Sequence, residues 1–230
     1  MREVFMYSSG LAVCSTAFAL PYFHYLVFVV QGVESCSTAL HPWKLLLAQL
    51  LLLFILCLLS TLIGLSFYKR FELPGFGDPR NFTDSLPLLF ALGAVMMALS
   101  YFLFDRYFFE LSPVSYPKGW LYLISMPFKG AFTEEVILRL CLVTLCVGFL
   151  KNKSAGIVLA SVVASLFTIK YFHFVGVPFG LNYLSITQML LSFLANLILA
   201  YLFVTRGLIY SMALKFVFGI KYALISLVLW

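Results

Sequence analysis

The sequence contains very little charge. Only 10% of its 230 residues are Asp, Glu, Lys or Arg, and 63% are hydrophobic, whereas soluble domains carry about 25% charged residues. This composition excludes an ordinary water-soluble domain. The net charge of +6 does not indicate a nucleic-acid partner, because the basic residues mostly punctuate short loops between apolar runs. Lys and Arg in such loops set membrane topology and interact with anionic lipid.

Metal-binding and disulfide patterns are also missing. The five cysteines have no CxxC spacing, so no disulfide framework or zinc ligand set is visible. We expect them to pack as small apolar side chains. No HExxH segment is present, and although two glutamates and one histidine could bind zinc, the sequence does not favour it. We therefore expect a protein without a metal or other cofactor.

Apolar runs long enough to cross a bilayer recur along the whole chain. A spanning helix needs about 20 residues, whereas a transmembrane β-barrel would show alternating segments of about ten. Continuous runs such as LLLAQLLLLFILCLLSTLIGL predict an all-α, polytopic membrane bundle of seven to eight transmembrane helices. The seven clearest spans are 10–30, 45–68, 86–104, 130–150, 155–177, 184–205 and 207–230.

The apolar segment 120–128 leaves the number of spans open. It is too short to cross a bilayer alone, so it is predicted to be an interfacial helix or part of a tilted eighth span. With seven spans, the membrane face that we call the basic face holds seven Lys and Arg, and the opposite face holds four. This difference favours the basic face as cytoplasmic only weakly, so the orientation stays open. The basic face holds Arg2, Lys69, Arg70, Arg80, Lys151, Lys153 and Arg206; the other holds Lys44, Arg106, Lys118 and Lys129.

Three charged residues interrupt the apolar run 130–150: Glu134, Glu135 and Arg139. Each charge at a helix centre costs roughly 2.5–3.5 kcal/mol on insertion scales, so ionisable groups here are candidates for function. Residues four apart share a helix face, which predicts an ion pair between Glu135 and Arg139. Glu134 has no partner within its own helix. It is suited to act as a general base, and the alternative is a buried ion-pair network that fixes helix packing.

A histidine and two lysines on later spans could join these residues. His173 and Glu134 each lie four residues from a span end at the same face, about 6 Å deep at 1.5 Å per residue. They could share a water or a metal. Lys215 lies near mid-span and is expected to face the bundle, paired with Glu134 or Glu135. Lys221 is close enough to a helix end to snorkel towards the interface.

The segment EEVILR at 134–139 resembles the EExxxR motif of the CAAX protease and bacteriocin-processing (CPBP) family of intramembrane glutamate-type endopeptidases. The family's FxxxHxH motif is matched in part at 167–173, where Tyr171 stands at the first His position and His173 at the second. Its HxxxN or HxxxD motif is degenerate here. Lys215 stands where the His belongs, and Gly219 stands where the Asn or Asp belongs.

This resemblance implies a role for each candidate. Glu134 would be the general base, His173 would help to activate the water, and Glu135 with Arg139 would form a supporting pair. Lys215 would offer a positive charge to the oxyanion. Residues 1–117 would form N-terminal transmembrane helices, and residues 118–230 the family's core bundle within one membrane domain.

Three functions remain open at this point. The first is an endopeptidase that hydrolyses a peptide bond of a membrane-associated or prenylated protein or peptide. The second is a catalytically inactive family member that serves as a membrane scaffold or binds a partner protein, which the altered motifs would suit. The third is a transporter or ion-pathway protein, in which Glu, Lys and His within the membrane would form a relay.

Overall fold

The structure, a computed structural model, describes residues 2–30, 41–116, 118–174, 179–180 and 182–229. Over these residues the chain is helical and contains no β-strand, which confirms the all-α prediction. The α-helices are α1 (Arg2–Tyr25), α2 (Pro42–Phe67), α3 (Phe82–Ser100), α4 (Arg106–Leu111), α5 (Trp120–Lys129), α6 (Thr144–Leu150), α7 (Lys153–Phe174), α8 (Tyr183–Arg206), α9 (Leu208–Gly219) and α10 (Lys221–Leu229).

Short π-helical and 3₁₀ segments join several of these helices end to end. The result is seven helical segments within the described chain, in agreement with the predicted number. The π-helical segments are Leu26–Val30, Tyr101–Asp105, Gly130–Glu134 and Val136–Val143, and the 3₁₀ turns are Pro79–Asn81 and Pro113–Ser115.

Five of the helical segments are long and apolar enough to cross a membrane. Large apolar side chains remain exposed along them, including Leu52, Leu88 and Phe102, as expected for surfaces that face lipid rather than water. The chain is therefore an integral, multi-pass membrane protein. The five are Glu3–Val29, Pro42–Phe67, Pro79–Leu111, Tyr183–Arg206 and Leu208–Leu227.

The fourth helical segment differs from the sequence expectation. Residues 120–128, expected as a separate interfacial helix or an eighth span, form the start of one continuous helix that runs to Leu150. This segment is not regular either, because two π-helical stretches replace the α-helix predicted over 130–143. The two stretches meet at Glu135, so the charged residues lie where the backbone hydrogen bonding changes. Such π-helical turns occur frequently at functional sites.

Close helix packing holds this segment inside the bundle. The π-helical stretch Val136–Val143 packs against α2, where a Cβ at Gly64 would collide with the backbone of Leu140. A small residue at the contact lets the two backbones approach each other, as is common between membrane helices. Val136 and Leu140 are completely buried. The helix that carries Glu134 and Glu135 is thus fixed by backbone contact as well as by side-chain packing.

The loop after α2 fixes the start of α9. The N–H of Leu208 donates to the carbonyl of Gly75 at 2.9 Å, and the N–H of Ile209 donates to the carbonyl of Phe76 at 3.1 Å. Gly207, with φ of 109°, makes the sharp turn between α8 and α9, a conformation that residues with a Cβ rarely adopt. These contacts set the position of α9, which carries Lys215.

Candidate active site

Glu134 is held between two lysines. Lys129 Nζ lies 2.8 Å from Glu134 Oε1, and Lys215 Nζ lies 2.8 Å from Glu134 Oε2. The cluster is only partly enclosed, since the Glu134 side chain is 34% exposed and the lysines 21% and 20%. The predicted pairing of Lys215 with Glu134 is therefore confirmed. Each carboxylate oxygen keeps a second lone pair, and the exposed part of the side chain leaves space for a water molecule.

Three elements place the lysine–glutamate cluster, which we define as Lys129, Glu134 and Lys215. Lys129 ends α5, Glu134 ends the adjoining π-helical segment, and Lys215 comes from α9. Glycine at position 130 leaves space for the Lys215 side chain, because a Cβ there would lie 3.3 Å from Lys215 Cε. The Lys129 ammonium also lies over the ring of Tyr22, 4.5 Å from its centroid, a cation–π contact that holds it beside the carboxylate.

Sequence reasoning missed Lys129 as a member of the cluster. It had been assigned to a loop, but the continuous helix through 120–150 brings it within one helical turn of Glu134. A spacing of five residues suits a π-helical turn, whose hydrogen bonds join residues i and i+5. If a continuous helix through Gly130 had been predicted, Lys129 would have been the expected partner of Glu134, since it is the nearest cation before Glu134 in the sequence.

Glu135 occupies a different environment from its neighbour. Its carboxylate is completely buried, as is Arg139, and Arg139 Nε lies 3.3 Å from Glu135 Oε2. Arg139 Nη2 also donates to Asn196 Oδ1 of α8 at 2.6 Å. The ion pair predicted from the i,i+4 spacing is confirmed. Within the described part of the chain, neither Glu135 oxygen accepts a hydrogen bond, so the pair is an ionic contact without aligned N–H groups.

Gly219 is packed too tightly to carry a larger side chain. A Cβ at this position would lie 2.7 Å from Cα of Pro127 and 3.3 Å from its Cβ. Since the nearest atom belongs to the backbone, a side chain at 219 could be fitted only if α5 and α9 moved apart. The position that the resemblance assigns to an Asn or Asp is therefore used here for helix packing.

The second motif is described only in part. His173 and Tyr171 belong to α7, the helix Lys153–Phe174, but their side chains lie outside the described residues. The predicted approach of His173 to Glu134 therefore stays a prediction. Among the residues that the structure does describe, no group of three or more His, Cys, Asp and Glu is placed to hold a metal ion. Metal-free chemistry likewise stays a prediction.

Lys221 does not snorkel as predicted, because it is buried in a second ionic cluster. Its Nζ lies 3.1 Å and 3.0 Å from the two carboxylate oxygens of Asp105 and donates to Ser100 Oγ at 2.7 Å. Tyr116 Oη donates to Asp105 Oδ1 at 2.7 Å, and Ser100 Oγ donates to Oδ2 at 2.6 Å. We call these four residues the Asp105 cluster. Asp105 was not singled out in the sequence because its partner lies 116 residues away.

Four aromatic side chains pack against one another, and three of them belong to the elements that carry the lysine–glutamate cluster. The ring of Phe18 on α1 stacks on Phe128, with 4.9 Å between centroids, and lies 4.7 Å from the ring of Phe132. Phe128 also contacts Phe216 edge-to-face at 4.9 Å. The four rings are half-buried. We call these four rings the aromatic wall; Phe128 and Phe216 adjoin Lys129 and Lys215 in the chain.

Comparison with known proteins agrees with the motif analysis. Residues 116–220 match the family model described as Rce1-like, type II CAAX prenyl endopeptidase Rce1-like, which is consistent with the CPBP family. The matched region contains Lys129, Glu134 and Lys215, and it ends just before Lys221. No curated protein and no solved structure matches the chain significantly.

Proposed function

We propose that the chain is an intramembrane endopeptidase of the CPBP type, in which Glu134 activates the attacking water. The observation that carries this proposal is the division of the glutamate pair. Glu135 is completely buried against Arg139, whereas Glu134 is partly exposed between two ammonium groups. A general base must contact water and substrate, so it needs the partly exposed environment of Glu134 rather than the buried environment of Glu135.

The proposed reaction is hydrolysis of a peptide bond. Glu134 takes a proton from a water molecule as the water oxygen bonds to the carbonyl carbon of the substrate. The negative charge that develops on the carbonyl oxygen is stabilised by an ammonium group, the part we assign to Lys215. When the C–N bond breaks, Glu134 returns the proton to the departing amine. His173 is assigned to the orientation of the water.

The other two charged residues serve as positioning residues. Arg139 contacts Glu135 and Asn196, and so ties the glutamate-bearing helix to α8. This fixes the direction in which Glu134 projects. The aromatic wall of Phe18, Phe128, Phe132 and Phe216 suits a membrane-associated or prenylated protein or peptide as substrate, because apolar chains gain from contact with such a surface.

Cleavage by purified protein tests the proposal. The wild-type protein in detergent is expected to cleave a farnesylated peptide or an apolar, unprenylated peptide. Glu134→Gln keeps the shape of the side chain but removes the base, and should lower the cleavage rate about 10²–10⁴-fold. Glu110→Gln is the matched control, since Glu110 is an exposed glutamate on α4. Equal rates for wild type and Glu134→Gln would overturn the proposed role.

The second candidate is a family member that binds its partner without cleaving it. Two observations favour it: both oxygens of Glu134 already contact an ammonium group, and the packing of Gly219 leaves no room for the family's Asn or Asp. In this case wild type and Glu134→Gln would both retain the peptide in native mass spectrometry, and neither would release product. Product release by the wild type alone would reject this candidate.

A further inference from the structure

A cavity with a strongly basic lining lies at the opposite end of the helix that carries Glu134. It has a volume of about 530 Å³ and forms where the loop after α2 meets the turn between α6 and α7. Arg70, Glu72, Lys151 and Lys153 contribute its charged lining. We call it the basic cavity. All four residues are exposed, and the three cations belong to the basic face defined by the sequence.

The charges of the basic cavity are not balanced within the protein. Three cations face one carboxylate, and in the described part of the chain neither Arg70 nor Lys151 forms an ion pair. Lys153 Nζ donates to the backbone carbonyl of Glu72 at 3.0 Å, which holds its ammonium at the cavity. The N-terminal end of α7 begins at the same place, and its partial positive charge acts in the same direction.

The backbone of the cavity is held in an uncommon conformation at two places. Glu72 has φ of 53° and Lys151 has φ of 51°, and they are the two residues other than glycine with positive φ in the described ranges. Left-handed backbone costs an L-residue roughly 1–2 kcal/mol, so such residues persist where the surroundings demand them. Both line the same cavity. Glycine at position 151 would adopt this conformation without strain, but the substitution would remove the ammonium group of Lys151.

The lining of the basic cavity also includes apolar side chains. Phe71 and Val147 contribute to the lining. Phe149, which follows the lining residue Gly148 on the last turn of α6, is 82% exposed and adds a large apolar surface next to it in the chain. A ligand here would therefore meet both cationic and apolar side chains.

We propose that the basic cavity binds a phosphate group, carried by an anionic phospholipid or free in solution. Arg70 and Lys151 would contact the phosphate oxygens, since guanidinium and ammonium groups are the usual phosphate partners. Phe71, Val147 and Phe149 would contact the glycerol and acyl region if the phosphate belongs to a lipid. This site is separate from the lysine–glutamate cluster and does not depend on catalysis there.

Native mass spectrometry and thermal unfolding distinguish the two sources of phosphate. The detergent-purified wild type is mixed with phosphatidylglycerol, with phosphatidylcholine, or with inorganic phosphate. Retention of phosphatidylglycerol over phosphatidylcholine identifies a lipid headgroup, and a rise in Tm with inorganic phosphate identifies the free anion. Either result supports the proposal, provided that the measured binding is lost when Arg70 and Lys151 are substituted. Absence of both results from the wild type would overturn it.

A matched pair of double variants tests that dependence. Arg70→Gln with Lys151→Gln should lower the retained fraction of the positive ligand about tenfold, as expected for two lost phosphate contacts near the membrane surface. Lys69→Gln with Arg80→Gln removes the same charge from exposed residues of the same loop outside the lining, and should leave retention unchanged. An equal fall in both double variants would show general charge attraction and reject the site.

A single glycine substitution separates binding from folding. Lys151→Gly should raise Tm, because glycine adopts the left-handed conformation without strain, while it lowers retention of the same ligand several-fold. A protein that unfolds at higher temperature but binds less cannot have lost binding through misfolding. Unchanged retention in Lys151→Gly would contradict the proposed contact.

Discussion

The lysine–glutamate cluster and the Asp105 cluster contain the same chemistry in different surroundings. Each pairs a carboxylate with a lysine of the last helical segment, Lys215 in one and Lys221 in the other. Asp105 is 1% exposed and accepts hydrogen bonds at both oxygens from Lys221 and two hydroxyl groups. Glu134 is 34% exposed and faces two cations. The Asp105 cluster is closed and fully bonded, whereas the lysine–glutamate cluster is open and has an excess positive charge.

This difference agrees with a structural role for the Asp105 cluster and with the catalytic role proposed for the lysine–glutamate cluster. Burial removes the hydration of an ionised group, so a buried ion pair is most favourable when its atoms are hydrogen-bonded as well. The Asp105 cluster meets this condition, and it links α10 to the π-helical segment Tyr101–Asp105 and to Tyr116. The lysine–glutamate cluster leaves bonding capacity unused at its exposed side, where a substrate, a partner protein or water can bind. The two lysines are six residues apart, so helix packing rather than residue type decides their roles.

The largest expected effect comes from breaking the closed cluster. Asp105→Ala should lower the free energy of unfolding by about 3–5 kcal/mol, because it leaves Lys221 buried without a counter-charge. Glu134→Ala should cost less than about 1 kcal/mol, since its ion pairs are partly exposed. Unfolding in mixed micelles with increasing dodecyl sulfate measures both. Equal losses would show that the two clusters contribute alike to the fold.

A double substitution provides the control for Asp105→Ala. Asp105→Leu combined with Lys221→Met removes both charges and fills the space with apolar atoms, so much of the lost stability should return. If the double variant is as unstable as the sum of the two single variants, the loss comes from packing rather than from an unpaired charge.

Sequence reasoning found the open cluster more readily than the closed one. Glu134, Glu135 and Arg139 are conspicuous because they interrupt an apolar run, and their spacing identifies the internal ion pair. Lys215 could be expected to pair with Glu134 because it lies too far from a helix end to reach water. These contacts follow from local spacing and from the cost of isolated charge in a membrane.

The closed cluster could not be read from local patterns. Lys221 stands near a helix end, so its burial depends on Asp105, which is distant in sequence and itself near the end of a span. Lys129 was missed for a related reason, because the segment 120–128 and the span 130–150 were predicted as separate elements with Lys129 between them. The π-helical turns have no signature in the sequence; they depend on how the whole segment packs against α2 and α9.

A glycine substitution sharpens the comparison at the open cluster. Gly219→Asn introduces the residue type that the family motif has, but its Cβ would approach the backbone of Pro127 to 2.7 Å. We expect a loss of about 1–3 kcal/mol from overpacking, and no gain in peptide cleavage. Gly10→Ala is the control, because no atom lies within 4 Å of a Cβ at that position. A stable and more active Gly219→Asn protein would show that the contact with Pro127 yields easily.

The smallest expected effect compares the two lysines directly. Lys215→Met should change the free energy of unfolding by less than about 1 kcal/mol, because the Glu134 carboxylate is partly exposed and keeps Lys129 as a partner. Lys221→Met, the same change six residues later, should cost several times more, because it leaves Asp105 buried without a cation. Dodecyl sulfate unfolding of the two variants measures the contrast. A larger loss for Lys215→Met than for Lys221→Met would mean that the exposed cluster stabilises the fold, and the division between a structural and a functional cluster would fail.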